Sequence, residues 1–243
     1  MGFVALSYEK KLFFLHLCSV KHWFVVFALL LPGLLGSAAE PYFCLRRGAE
    51  LYYERTDAAS GKLKRTTTWR IDTVAPEGSG LRVDYTFTLR KPNGAPMYGG
   101  PSTMSVRVDE GGTVRMDLGN SMRAVFANMF PNADIVSEGD PTLLPAGMKP
   151  GDTLPDAHSV VTVLGMKYRT TVTERQVLRR ETVTTPAGTF DCIVVREHKE
   201  ERGPGINRTT TAETWYARGI GYVRHDTYDK NLRLETTEML KKY

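Results

Sequence analysis

Few residues of this chain could carry covalent chemistry. Nucleophilic catalysis needs a thiol, hydroxyl or amine beside a base that a third group orients. Beyond residue 39 the sequence offers two cysteines, Cys44 and Cys192, and three histidines, His158, His198 and His225. Cys192 lies in "TPAGTFDCIVV", on the strand face it shares with Phe190 and Val194, where a free cysteine behaves as a small buried hydrophobe. In an exported chain it could instead pair with Cys44, closing a loop of about 150 residues for roughly 4 to 5 kcal/mol in the chain-entropy model. A reactive or metal-binding thiol is the third alternative, and the sequence leaves all three open. His158 follows "LPDA", His198 sits in the charge run "REHKEER", and His225 lies between Arg224 and Asp226, so each reads as a surface histidine. H-E-x-x-H, C-x-x-C, G-x-S-x-G and G-x-x-x-x-G-K-[ST] are all absent, and no catalytic, metal or cofactor-binding residue is predicted. Carboxylate pairs such as Glu213 and Asp226 could in principle serve a hydrolase, but nothing selects one pair.

Non-covalent chemistry has better material. In "ETWYARGIGYVRHDTYD", Glu213 to Asp229, Trp215 and Tyr222 stand around Gly219 and Gly221. They read either as the core of a hairpin or as an aromatic wall for an apolar or sugar-like ligand. In "SMRAVFANMF", Ser121 to Phe130, the residues Met122, Val125, Phe126 and Met129 recur at helical spacing behind an Asn120 or Ser121 cap. That predicts a short amphipathic helix, either packed as core or movable over a hydrophobic pocket. Met122, Phe126, Met129, Trp215 and Tyr222 are therefore the candidate ligand-cavity residues.

The elements that must position them are strands. Leu81, Val83, Tyr85, Phe87 and Leu89 alternate with Arg82, Asp84, Thr86, Thr88 and Arg90, the pattern of a half-buried strand. Similar runs recur between short turns such as "PNG", "DEGG", "PAG" and "DKN". The predicted fold is mainly β: one curved antiparallel meander forming a barrel or half-barrel, with one short amphipathic helix packed on or across it. Predicted strands include Ser159 to Leu164, Met166 to Val172, Arg180 to Thr184 and Thr189 to His198. The Pro-, Gly- and Asp-rich stretch "GDPTLLPAGMKPGDTLPDA" is expected to be a long connection across the end of the sheet.

Residues 1–39 read differently. "WFVVFALLLPGLL", preceded by Lys21 and followed by "GSAAE", is too short to span a bilayer and has the small residues of a cleavage site at Ser37 and Ala39. A signal peptide over 1–39 is predicted, with the true start near Val20, leaving a single β-barrel-like domain over 40–243. Its removal takes out Lys10, Lys11, Lys21 and Glu9 and lowers the formal net charge from +5 to +3. Basic and acidic residues alternate without a dense basic stripe, so nucleic acid is excluded as a partner despite a pI near 9.1. No transmembrane span is expected in the mature chain, which should be soluble in the periplasm or outside the cell.

Three blocks in order, "LPAGMKPGDTLPDA", "ETVTTPAGTFDCIVV" and "ETWYARGIGYVRHDTYD", together with the opening "PYFCLRRGAELYYERTDAASGKLKR", resemble a family of exported bacterial β-rich proteins of unknown function labelled TapB-like. The resemblance covers most of the mature chain. It implies a curved antiparallel sheet and carries over no catalytic residue. The expected function is that of a non-enzymatic binding module of the bacterial envelope, holding an acyl-type ligand in a barrel-like cavity. The alternatives are a scaffold that binds another envelope protein through a sheet edge or surface, and an envelope hydrolase using cavity carboxylates.

Overall fold

A computed structural model describes residues 39–243; the rest of the predicted signal peptide, and the alternative start within it, lie outside the described residues. Thirteen antiparallel strands form one sheet. The first five are β1 (Glu50–Asp57), β2 (Leu63–Glu77), β3 (Gly80–Arg90), β4 (Ser102–Val108) and β5 (Val114–Asp117). Helix α1 (Asn120–Met129), β6 (Ile135–Gly139) and β7 (Pro141–Leu144) come next. The chain ends with β8 (Ala157–Val163), β9 (Met166–Thr185), β10 (Gly188–Gly203), β11 (Ile206–Ala217), β12 (Gly221–Tyr228) and β13 (Leu234–Lys242).

Hydrogen bonds connect the strands in the order β6-β8-β9-β10-β11-β12-β13-β1-β2-β3-β4-β5-β7. Two meanders, β1 to β5 and β8 to β13, are thus fastened along β1 and β13, where Tyr53 faces Leu240 and Arg55 faces Glu238. The two edges, β6 and β7, follow one another with only Asp140 between them. The result is a nearly closed barrel carrying one helix, the fold class expected from the alternating pattern. On β3 the predicted sorting is visible directly: Val83, Tyr85, Phe87 and Leu89 are buried, and Arg82 and Arg90 are exposed.

Two departures from the predicted elements share a cause. Strand β9 is one strand of 20 residues where the pattern suggested two, and β7 forms inside the stretch expected to be a connection. In β9, Thr173 pairs with His198 and Gln176 with Arg196, so Glu174 and Arg175 together oppose Glu197. This is a β-bulge, with Glu174 at φ 52°, and it interrupts the alternation in mid-strand. Its effect is to turn Arg175 inward, where the side chain is 2% exposed. The guanidinium donates to the Leu143 carbonyl on β7 at 3.2 Å and to the Pro155 carbonyl at 3.0 Å, and lies 3.5 Å from Glu197. A side chain of β9 thereby holds β7, a strand with which β9 has no ladder.

A second arginine closes one end of the barrel. Arg218 donates to the carbonyls of Glu40 at 2.5 Å and Ala146 at 2.6 Å, and covers the Tyr42 ring at 4.8 Å. The segment Tyr42, Phe43, Cys44 is thus laid into the barrel end and buried. There the Phe43 ring meets Trp69 and Tyr85, and Tyr53 stacks on Tyr222 at 4.4 Å between centroids. Offset and edge contacts of this kind make a dense aromatic plug.

The buried Arg175 gives a first expectation. Arg175→Ala strips the donor from the Leu143 and Pro155 carbonyls and leaves Glu197 without its buried cation, and should lower unfolding free energy by about 3 kcal/mol in urea titrations at neutral pH. A loss below about 1 kcal/mol would show that the seam holds without it.

Candidate functional site

Helix α1 lies across the barrel because both its ends are tied. At its start, a Cβ on Gly119 would come within 2.5 Å of the hydroxyls of Ser137 on β6 and Ser159 on β8, so only glycine lets the helix approach this closely. No side chain caps the helix; Asn120, proposed as a cap, donates to the Ser105 carbonyl at 3.1 Å and accepts from Arg123 at 2.8 Å. At its end, Asn128 donates to Ser102 Oγ and to the Pro101 carbonyl, both at 2.9 Å. The Phe126 ring meets Tyr168 of β9 at 4.8 Å. These ties make α1 a fixed crosspiece and do not favour a movable lid.

Beneath it the interior is not filled. A cavity of about 600 Å³ lies between Met122, Val125, Phe126 and Met129 of the helix and the inner wall of the barrel. A smaller one, about 250 Å³, reaches Trp69, Tyr85, Arg175 and Tyr216. Leu118, Ser121 and Glu197 line both.

The wall facing the helix is charged. Glu238 is 3% exposed; it accepts from Arg55 at 2.7 and 3.1 Å and from Thr67 at 2.7 Å, with Arg65 at 3.6 Å. Burial works to raise its pKa, but the two arginines and the Thr67 hydroxyl outweigh that and hold the carboxyl below its ordinary range. Beside it, His225 Nδ1 lies 2.8 Å from Thr214 Oγ1. Burial, reinforced by the Arg55 charge, lowers the histidine from 6.5 to about 4, so it is neutral at physiological pH. Arg55, Arg65, Lys199, Arg208 and His225 all face the large cavity. His225 is thus an interior residue, not the surface histidine its neighbours suggested. It alternates with Arg224 and Asp226, whose side chains point to the opposite face.

The residues singled out in the sequence separate accordingly. Met122, Phe126 and Met129 line the cavity. Tyr222 is inside the barrel but belongs to the aromatic plug, against Tyr53 and Trp69. Trp215 is placed otherwise than expected: it alternates with the inward Ala212 and Tyr216, so it faces out, covered by the guanidiniums of Arg224 at 4.6 Å and Arg179 at 5.6 Å. Glu213 and Asp226 share that outer face, the first held by Arg179 and Arg196, the second by Arg224 at 2.6 Å, so neither reaches the cavity. Cys44 and Cys192 are both buried free thiols and are not joined. Burial, with Asp191 and Glu181 nearby, pushes the Cys192 thiol up to about 12, far from a thiolate nucleophile. His158 pairs with Asp140 at 2.8 Å in the open. Arg55 and Arg65 occupy apolar-face positions at strand ends, where alternation alone reads them as solvent-facing.

Known proteins resemble this chain along most of its length. A family model described as DUF3108-like matches residues 46–240. Among solved structures, a protein from Bacteroides fragilis, provisionally described as exported and with a YmcC-like fold, superposes with a TM-score of 0.68 at 25% identity, covering 84% of this chain and 98% of its own. A protein from Parabacteroides distasonis, provisionally described as a lipoprotein, gives 0.67 at 21% identity with the same coverages of 84% and 98%. The family description takes the place of the TapB-like label. A search of curated proteins finds no match. Among the described residues no helix is long and apolar enough to cross a membrane.

Two outcomes are expected. The unfolded His225 takes up a proton near 6.5 and the folded one near 4, so stability is full above the higher value and falls as pH drops, by up to about 2 kcal/mol by pH 5. His225→Asn should flatten urea-derived stability between pH 7.5 and 5; an unchanged slope would place the titration elsewhere. In the chain beginning at residue 40, Ellman's reagent should find neither Cys44 nor Cys192 before denaturation and both after it, whereas a disulfide would yield none at either step.

Proposed function

This chain belongs to the DUF3108-like family, and from its barrel we propose an exported, non-catalytic binding module whose interior holds a small molecule with a hydrophobic chain. The observation that carries this reading is the open cavity of about 600 Å³ under a helix whose Met122, Phe126 and Met129, the last 46% exposed, line it. Its size lies within the ordinary range for small-molecule sites, roughly 300 to 1,000 Å³. Cores normally close such volumes, since each buried methylene contributes about 0.8 kcal/mol. Here a fixed crosspiece, a charged wall and an aromatic plug keep it open. A leader-like amino terminus and relatives provisionally described as exported protein and lipoprotein support action in the envelope.

The competing readings have less to act with. A scaffold recruiting a partner strand needs a free edge, and the edges here are strands of five and four residues joined to each other. A hydrolase needs uncommitted carboxyls in the cavity, and Glu197 and Glu201 are each paired with a cation, Arg175 at 3.5 Å and Lys199 at 2.8 Å.

Native mass spectrometry of the protein purified from the envelope of its host should show a mass above that of the bare chain, released by organic extraction. Identical masses before and after extraction, on protein never exposed to detergent, would overturn the reading.

A further inference from the structure

The charged wall assigns the end of the ligand that the apolar face does not. Resting on the reading above, we propose that the occupant is an anionic amphiphile, its carboxylate or phosphate head held by Arg65 with Arg208 beside it, and its acyl chain running under α1.

Most of the cations at this wall already hold a carboxylate. Arg55 grips Glu238 through both Nε and Nη2, at 3.1 and 2.7 Å. Lys199 has Glu201 at 2.8 Å, and Arg208 is paired with Glu235. Among the described residues Arg65 has only Glu238, at 3.6 Å, beyond hydrogen-bonding reach and already taken. Its Nε is buried and has no hydrogen-bond partner among the described residues. Two guanidiniums thus share one carboxylate, leaving a net positive charge with spare donors, and a buried donor without an acceptor is costly. An anion in front of Arg65, whose side chain is 28% exposed, would compensate that charge through the guanidinium's planar fork, which suits carboxylate and phosphate.

Position agrees. Arg55, Arg65 and Arg208 line the large cavity and also a neighbouring recess of about 520 Å³ that includes Asp57, Lys64 and Leu234. The arginines therefore stand at the passage between the interior and the outside. Inward from them the lining turns to Phe87, Leu89, Val125, Phe126 and Ala212. A head group at the passage with its chain inward matches both chemistries, whereas a cationic amphiphile would face Arg65 uncompensated.

Calorimetric titration of the delipidated, exported protein with sodium myristate, myristoyl lysophosphatidate, tetradecanol and tetradecyltrimethylammonium, each below its micelle concentration, tests this. At least one anion should bind about tenfold more tightly than the alcohol, and the ammonium should bind most weakly. Which anion wins tells a fatty acid from a phospholipid head. Arg65→Gln should abolish the preference while leaving alcohol binding within about twofold, and Arg65→Lys should restore part of it. Equal binding of alcohol and anions by the wild type, or an equal loss of both in Arg65→Gln, would overturn the head-group assignment and leave the carrier reading standing. Failure of every probe to bind would overturn both.

Discussion

The barrel depends on one buried guanidinium standing where a strand ladder is missing. β7 pairs with β5 on one side, and on the other it has no ladder with any strand. Arg175 spans that gap with bonds to the carbonyls of Leu143 and Pro155. Backbone carbonyls at an unpaired edge need donors, and water is the usual source. Supplying them from a side chain ties the seam where no ladder does. The bulge at Glu174 makes this possible, because without the extra residue Arg175 would point outward with Thr173. The cavity and the helix that lies over it belong to the interior that this closure leaves.

The two ends of the interior are built from different chemistry. One is sealed by Phe43, Trp69, Tyr85, Tyr53 and Tyr222, a cluster with large apolar area and specific ring geometry. The other carries Arg55, Arg65, Glu238 and a neutral His225. Burying such charges costs more than burying rings, and ion pairs return that cost only with good geometry. Arg55 on Glu238 has it, and Arg65 does not. The interior is therefore asymmetric along its axis, apolar and solid at one end, charged and incompletely satisfied at the other. On the outside, Trp215 between two arginines shows the reverse arrangement, an aromatic ring kept from water by charges paired with Glu213 and Asp226.

Much of this was legible in the chain. Alternation on β3 and the helical spacing of Met122, Phe126 and Met129 reflect one-sided burial, which writes a period into the sequence. Trp215 was misjudged because an aromatic in a strand says that it is buried without saying on which face. A bulge at Trp215 in the β11–β12 pairing shifts the phase between it and Tyr222. Arg175, Arg65 and His225 were illegible for a related reason: polar residues on an inner face look like solvent-facing residues one register away. The seam is hidden by its own composition, since Gly139 ends and Pro141 begins strands of five and four residues, and both signal turns more strongly than strands.

The junction at Asp140 bears on how many strands the ring has. Neighbours in an antiparallel ring must alternate in direction, so only an even number can close without a parallel pair. Thirteen alternating strands leave the first and last, β6 and β7, pointing the same way. They are placed end to end, so they act as a single strand that changes partner in mid-course, from β8 to β5, and the circuit counts as twelve. The change falls where Gly139 lies so close to β8 that a Cβ would come within 2.1 Å of the His158 carbonyl oxygen, and where Pro141 has no N–H to offer a ladder. Because the two halves keep separate registers, the junction is a place where chain length can vary by a residue without displacing a ladder on either side. The parity of the ring is thus settled by local backbone chemistry at three consecutive residues.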